Sequence, residues 1–211
     1  MAPALDQIVI IGCSAGGKEA CEYLLPKLFL GSSAVVIVPH INNNAIYSCL
    51  RSRHLPVHGV EDTTALRPGK IYVEGHNYQS KPSGCLGFLD DLAVRLPLGS
   101  DSIDETFVHA SEEYKERCIG VILSGAGSDG SRGGRELVKN GGKLLIQVER
   151  SSQKNLSAGQ RFQHYGYWYC SGMPRNAREA TKPFFSGSLE RMAKALNQLL
   201  AVRILLQSLF K

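Results

Sequence analysis

The sequence predicts an α/β domain: a mostly parallel, Rossmann-like sheet covered by helices. Three observations carry this. Residues 8–11, 34–38 and 119–123 are short runs rich in Val and Ile with no polar face, the pattern of parallel strands buried on both sides. The segments between them repeat apolar residues every three or four positions, as amphipathic helices do. A strand, a glycine-rich loop and a helix follow one another twice, from residue 8 and again from residue 119.

At 211 residues, with 43% hydrophobic and 20% charged residues, the chain has the make-up of one soluble domain with a sizeable core. The opening Met1-Ala2-Pro3-Ala4-Leu5-Asp6 lacks the basic and apolar regions of a signal peptide. Cys13, Cys21, Cys49, Cys85, Cys118 and Cys170 are scattered without a Cys-x-x-Cys pair. Such usage speaks against zinc and against a disulfide framework, and for a reducing cytoplasm. The formal net charge of +5 includes no long basic block, so no nucleic-acid footprint is expected, while an acidic protein partner is compatible with it.

The first strand, Ile8-Val9-Ile10-Ile11, stops at Gly12, where a side chain would crowd the turn. Ser14 stands at the tip. Gly16 and Gly17 clear the space around it, so that backbone N–H groups of the next helix face whatever the hydroxyl attacks. Gly12-Cys13-Ser14-Ala15-Gly16 fits the Gly-x-Ser-x-Gly nucleophile elbow. Ala20, Tyr23, Leu24, Leu25 and Leu28 line one face of a helix over 18–28, which Gly31 ends. With the second strand this makes a right-handed βαβ unit. Both strands then end on one edge of the sheet, and His40 emerges beside Ser14.

Residues 46–53 read as a helix ended before Pro56, and 56–91 as short strands joined by turns at Arg67-Pro68-Gly69 and Lys81-Pro82-Ser83-Gly84. The clearest strand there is 70–73. Ile103, Phe107, Val108 and Tyr114 give helical spacing through 104–117, with Asp101 or Ser102 as the cap. The strand 119–123 leads into Ser124-Gly125-Ala126-Gly127-Ser128-Asp129-Gly130, then a helix from about 132 to 140, Gly141-Gly142, and a strand over 143–148. The loops after these strands open on one crevice, where α/β sheets bind ligands. Residues 149–172 turn from polar to aromatic (Phe162, His164, Tyr165, Tyr167, Trp168, Tyr169), a length that marks functional loops; a hairpin packed on the core and a contact to a substrate helix are both open. Ser188 caps a helix from about 189 onward. Its apolar end, 199–210, is interrupted by Arg203 and Gln207 and is too short to cross a bilayer, which takes ~20 residues.

A serine is a weak nucleophile until a base takes its proton, the base needs a third group to fix its tautomer, and the oxyanion needs aimed donors. The chain offers each part: Ser14 to attack, His40 as general base and then acid, Asp129 to orient the imidazole, and loop amides around Ala15, Gly16, Ala126 and Gly127 for the oxyanion. The order Ser, His, Asp differs from the Ser, Asp, His of α/β-hydrolases. Each residue also has a plainer role, with Ser14 as a helix cap, His40 as a structural histidine and Asp129 as a turn former. Cys13 points to the face opposite Ser14 and is expected to be buried and inert. His54 and His58 have the spacing of helical metal ligands, but Pro56 between them spoils the helix, so no metal is assigned. No cofactor is expected. Gly12-x-Ser14-x-x-Gly17 approximates a dinucleotide fingerprint, yet the acid that should end the second strand is absent.

Five stretches together, in this order, resemble the catalytic domain of CheB, the protein-glutamate methylesterase family of chemotaxis. They are Ile11-Gly12-Cys13-Ser14-Ala15-Gly16-Gly17, Val38-Pro39-His40, Ser102-Ile103-Asp104, Leu123-Ser124-Gly125-Ala126-Gly127-Ser128-Asp129-Gly130 and Gly172-Met173-Pro174-Arg175. The likeness runs from about residue 7 to about residue 200. It implies a three-layer α/β/α sandwich, triad roles for Ser14, His40 and Asp129, and an accessory place at the site for Asp104 and Met173. The reaction it implies is hydrolysis of glutamate γ-methyl esters on chemoreceptor helices with release of methanol, together with glutamine deamidation. The implied partners are methylated chemoreceptor or sensor helices, and a CheR-type methyltransferase or sensor domain in the same system.

Ala15 and Ala126 stand where the family usually has Thr and Met; alanine after the serine is more similar to the CheB-like domains of CheB/CheR fusion proteins. The chain reads as one domain, 1–211, with no receiver domain ahead of the first strand, and its end at Lys211 as that of a domain taken from a longer fusion. The other function class is a catalytically silent receptor-binding or regulatory module, and intact Ser14, His40 and Asp129 stand against it.

Overall fold

The computed structural model describes residues 5–40, 43–59, 66–74, 84–89, 92–96, 102–149 and 169–209. Along it run β1 (Gln7–Cys13), α1 (Gly17–Leu24), β2 (Ser33–Pro39), α2 (Asn43–Ser52), β3 (Val57–Gly59), β4 (Ile71–Val73), β5 (Gly84–Leu89) and β6 (Leu92–Leu96). There follow α3 (Ser102–Tyr114), β7 (Cys118–Ile122), α4 (Ser131–Lys139), β8 (Lys143–Gln147), α5 (Gly172–Ala180), β9 (Phe185–Gly187) and α6 (Leu189–Leu209).

The Val- and Ile-rich runs occupy the middle of the sheet. Its order is β3-β4-β2-β1-β7-β8-β9, every pairing is parallel, and β1, β2 and β7 are buried along their whole length. The strands β5 and β6 pair antiparallel, apart from this sheet. The expected strands all form, with ends displaced by one or two residues. One element carries no sequence signal: β9 is three residues held in place by pairing with Leu145–Gln147. The segment that opens at Met173-Pro174-Arg175 is α5, which takes Pro174 into its first turn and follows Ser171 with no side-chain cap.

Alternation along the strands sorts the core into two layers. Ile8 and Ile10 of β1 and Val36 and Val38 of β2 pack with Ile103 and Phe107 of α3, Leu137 of α4 and Met173 of α5. Val9, Ile11, Val35 and Ile37 pack instead with Ala20 and Leu24 of α1, Ile46 and Leu50 of α2, and Met192 and Leu196 of α6. This is the three-layer α/β/α sandwich. A parallel sheet buried on both faces needs apolar residues at every position, which is why its strands show no polar face.

Two helices end earlier than their apolar spacing predicts. The segment 18–28 is α-helical only to Leu24 and then tightens into a 3-10 turn, Leu25–Lys27, because Pro26 has no N–H for the helical ladder. Likewise α3 stops at Tyr114, and Lys115–Arg117 is a 3-10 turn that begins with Lys115 at φ 49. His54 lies in a turn at φ 59 and His58 in β3, so they share no helix face. The aromatic run from Phe162 to Trp168, Asp101, and the turn at Lys81-Pro82-Ser83 lie outside the described residues. Among the described residues no helix is long and apolar enough to cross a membrane.

Candidate active site

The polypeptide turns sharply after β1. Ser14 donates its N–H to Ser124 O (3.0 Å) and accepts from Gly17 N on its own carbonyl (2.7 Å), while Gly16 takes up φ 79, a left-handed value that favours glycine. Ser14 is thereby left half-buried at the mouth of the sheet edge, with Ala15 exposed beside it. Cys13 lies on the opposite face, fully buried against α1. A side chain at Gly12 would overlap Ile103 Cγ2, so the bend lies directly on the first turn of α3.

At the end of β2, His40 donates its N–H to Cys13 O (2.9 Å), which ties the histidine to the elbow. Its imidazole is 21% exposed, with Nε2 at 2.5 Å from Asp129 Oδ2 and 3.1 Å from Ser102 Oγ. A carboxylate only accepts, so the neutral imidazole carries its proton on Nε2, toward Asp129.

Asp129, whose side chain is 5% exposed, is held on every side. Ile103 N–H donates to Oδ2 (2.9 Å), and Asp104 N–H (2.8 Å) and Gly130 N–H (2.9 Å) donate to Oδ1. The first two are open donors of the first turn of α3, where the helix dipole also favours a negative charge. Asp129 is therefore more than a turn former: its carboxylate closes the end of α3 and holds the imidazole at once.

Asp104 makes the next contact along. Its Oδ1 accepts from Gly133 N (2.6 Å) in the first turn of α4, and Oδ2 lies 3.7 Å from Arg132 Nε. Burial, helped by the Asp129 charge, holds the Asp104 carboxyl above the ordinary range, against the Gly133 N–H. Asp104 thus joins α3 to α4. Met173 is fully buried and donates its N–H to Gly125 O (2.8 Å). A side chain at Gly125 would overlap the Met173 sulfur and come within 3.0 Å of Ser14 Cβ, so the thioether forms the floor beneath the serine.

Four further residues support the site. Ser102, which the sequence offers as a helix cap and as part of the third motif, approaches the imidazole. Ser124, fully buried, donates its hydroxyl to Ala15 O (2.6 Å) and accepts from Cys170 N (2.7 Å), bracing the elbow from the neighbouring strand. Gln147 Oε1 accepts from Ser124 N (2.8 Å), and Gln147 Nε2 donates to Glu149 (3.1 Å). Asn176 of α5 donates to Gly127 O (2.7 Å), pinning the exposed loop of Ala126 and Gly127. Ser14, Ala15, Gly16, His40, Ala126, Gly127 and Asp129 all stand at the carboxyl edge of β1, β2 and β7, neighbouring strands of one sheet. Among the described residues no group of three or more His, Cys, Asp or Glu is placed to hold a metal ion.

Comparison with known proteins adds an independent line. The sequence profile of the family described as CheB methylesterase matches residues 9–158. A Leptospira interrogans protein, provisionally named protein-glutamate methylesterase/protein-glutamine glutaminase, is 31% identical over 193 residues, covering 89% of this chain and 92% of that one. The protein-glutamate methylesterase/protein-glutamine glutaminase of Rhodopseudomonas palustris is 27% identical over 161 residues, 71% of this chain and 41% of its own length. The crystal structure of the Thermotoga maritima CheB methylesterase catalytic domain matches with a TM-score of 0.71, covering 92% of this chain and 98% of that one at 23% identity, a likeness of fold.

Proposed function

The chain belongs to the CheB methylesterase family, and from that premise we propose that it hydrolyses glutamate γ-methyl esters with Ser14 as nucleophile, His40 as general base and Asp129 as orienting acid. Ser14 Oγ attacks the ester carbonyl carbon while His40 Nδ1 takes its proton. The imidazolium so formed is stabilised through Nε2 by Asp129. Amides around Ala15, Gly16, Ala126 and Gly127 receive the oxyanion. Collapse expels the methoxy group, which leaves as methanol with the proton from His40, and an ester of Ser14 remains. Water, deprotonated by His40, then frees the glutamate carboxylate and the serine. With a glutamine side chain the same steps release ammonia.

The observation that supports this reading most is the 2.5 Å contact between His40 Nε2 and Asp129 Oδ2 on the strand edge where β1 delivers Ser14. Neutral His40 is the active form, so the rate falls as the pH drops through the imidazole's titration. The substrate segments are methylated helices of chemoreceptors or related sensors, and a CheR-type methyltransferase supplies the ester. Residues from about 7 to about 200 work as one catalytic domain in the cytoplasm.

The test is methanol release from methylated chemoreceptor fragments by the intact protein and by Ser14→Ala. Release that falls by about 10⁴-fold or more in Ser14→Ala is the expected result. Equal release by both removes Ser14 from the mechanism. Release by neither, across several receptor fragments, makes a silent receptor-binding module the better description.

A further inference from the structure

We propose that Glu74 is a positioning residue for the His40–Asp129 pair: a second carboxyl, buried at the same corner of the sheet, whose charge sets how basic the imidazole is. This rests on the triad reading above.

Glu74 follows the last residue of β4 and donates its N–H to Ile37 O (3.0 Å), so it continues the carboxyl edge beside β2. Alternation then fixes its direction. Ile71 and Val73 pack on the α1 and α2 layer and Tyr72 on the α3 layer, so the next side chain, Glu74, turns toward α3. The same parity governs the neighbouring strands. His40 lies two residues beyond Val38 and Ser14 two beyond Gly12, both of which face α3. Three adjacent strand ends, in the order β4, β2, β1, thus present Glu74, His40 and Ser14 to the helix whose first turn holds Asp129. Glu74 stands on the side of His40 away from Ser14.

Glu74 is 7% exposed, and among the described residues its carboxyl meets no hydrogen-bond or ion-pair partner. Among the described residues, the charged and titratable groups at this end of the neighbouring elements include His40 after β2, Asp129 before α4, Asp104 at the start of α3, Arg132 at the start of α4 and Tyr72 in β4 itself. Arg132 is taken up by Asp104 and Glu105, and the Tyr72 hydroxyl accepts from Arg67 N (2.8 Å). Burial first, and then the Asp129 charge, push the Glu74 carboxyl up to about 8. Below that pH Glu74 is neutral and the imidazole has Asp129 as its negative neighbour. Above it a second negative charge stabilises the imidazolium, and His40 becomes the stronger base.

Glu74→Gln copies the protonated acid and cannot ionise. The experiment compares kcat/KM and the ¹⁵N titration of the His40 imidazole in wild type and Glu74→Gln from pH 5 to pH 10. Wild type rises in two steps, the upper one near pH 8; the variant keeps the lower step, agrees within about twofold below pH 7, and is about threefold slower at pH 9.5, the size of a one-unit change in basicity at half sensitivity. In glutamate-labelled wild type a ¹³C carboxyl signal titrates near pH 8 and is missing from the variant. Superimposable His40 titrations, or a Glu74 carboxyl that titrates in the ordinary range, overturn the proposal. Both resonance measurements need no substrate, so failure here is distinct from failure of the esterase reading. Should Glu74→Gln not fold, a wild-type spectrum with no glutamate carboxyl titrating near pH 8 overturns it alone, and such a carboxyl together with a two-step His40 titration supports it.

Discussion

Replacing Asp129 by Asn tests whether this carboxylate acts through the tautomer of His40. Asp129 accepts two donors on each oxygen: Asp104 N and Gly130 N on Oδ1, Ile103 N and His40 Nε2 on Oδ2. An asparagine has one oxygen, so one pair of donors must face its NH₂ group. With the oxygen toward Asp104 and Gly130, one backbone donor, Ile103 N–H, is orphaned; the reverse orientation orphans two. Each buried orphan costs about 1–3 kcal/mol, so the first orientation prevails. The new NH₂ then donates to His40 Nε2, the imidazole proton moves to Nδ1, and the nitrogen that should take the Ser14 proton no longer can. Stability therefore drops by only about 1–3 kcal/mol, whereas kcat falls by about 10⁴-fold, the scale set by the equivalent change in other triads. Urea unfolding gives the first quantity and methanol release at saturating substrate the second. An Asn variant that stays within about tenfold of wild-type kcat across the pH range refutes the tautomer argument.

Two further predictions concern stability. Gly133→Ala in α4 gains up to about 1 kcal/mol of helix propensity, but the added methyl would overlap Asp104 O and lie 2.7 Å from Asp104 Cα, backbone with no flexible end to yield. We expect a net loss of about 1–3 kcal/mol by urea unfolding, and a stabilised variant would show that α3 and α4 can separate freely. Glu74 makes stability depend on pH. Its carboxyl loses its proton near 4.5 when unfolded but only near 8 when folded, so its contribution is complete below pH 4.5 and is lost as the pH rises to about 8. Glu74→Gln has no proton to lose; it should match wild type near pH 4.5 and exceed it by a few kcal/mol, on the order of 4, at pH 8.5. A gap between the two that does not change with pH would refute this.

The strands around Ser14 and His40 were legible because their cause is local. A run such as Ala34-Val35-Val36-Ile37-Val38 has no polar face to expose, and the handedness of the βαβ unit brings its end beside the elbow. The glycines of both loops were legible for the same reason, since a tight turn leaves its mark on the residues that make it. The short strand β9 left no mark, being too short for a pattern. Glu74 was missed too: it follows a three-residue strand, and the charge that acts on its carboxyl belongs to Asp129, far away in the chain.

Periodicity, turn chemistry and handedness within about one βαβ unit determined the parallel α/β sheet, the edge on which the site opens and the elbow that puts Ser14 beside His40. The three layers and the role of Asp129 came instead from the resemblance carried by five motifs together. The tertiary structure decided how those residues are held. Asp129 meets backbone donors 25 and 26 residues away in α3, and Ser124 braces a carbonyl 109 residues away at Ala15. Such contacts depend on which strands become neighbours and how closely helices pack, and no local pattern of side chains encodes either.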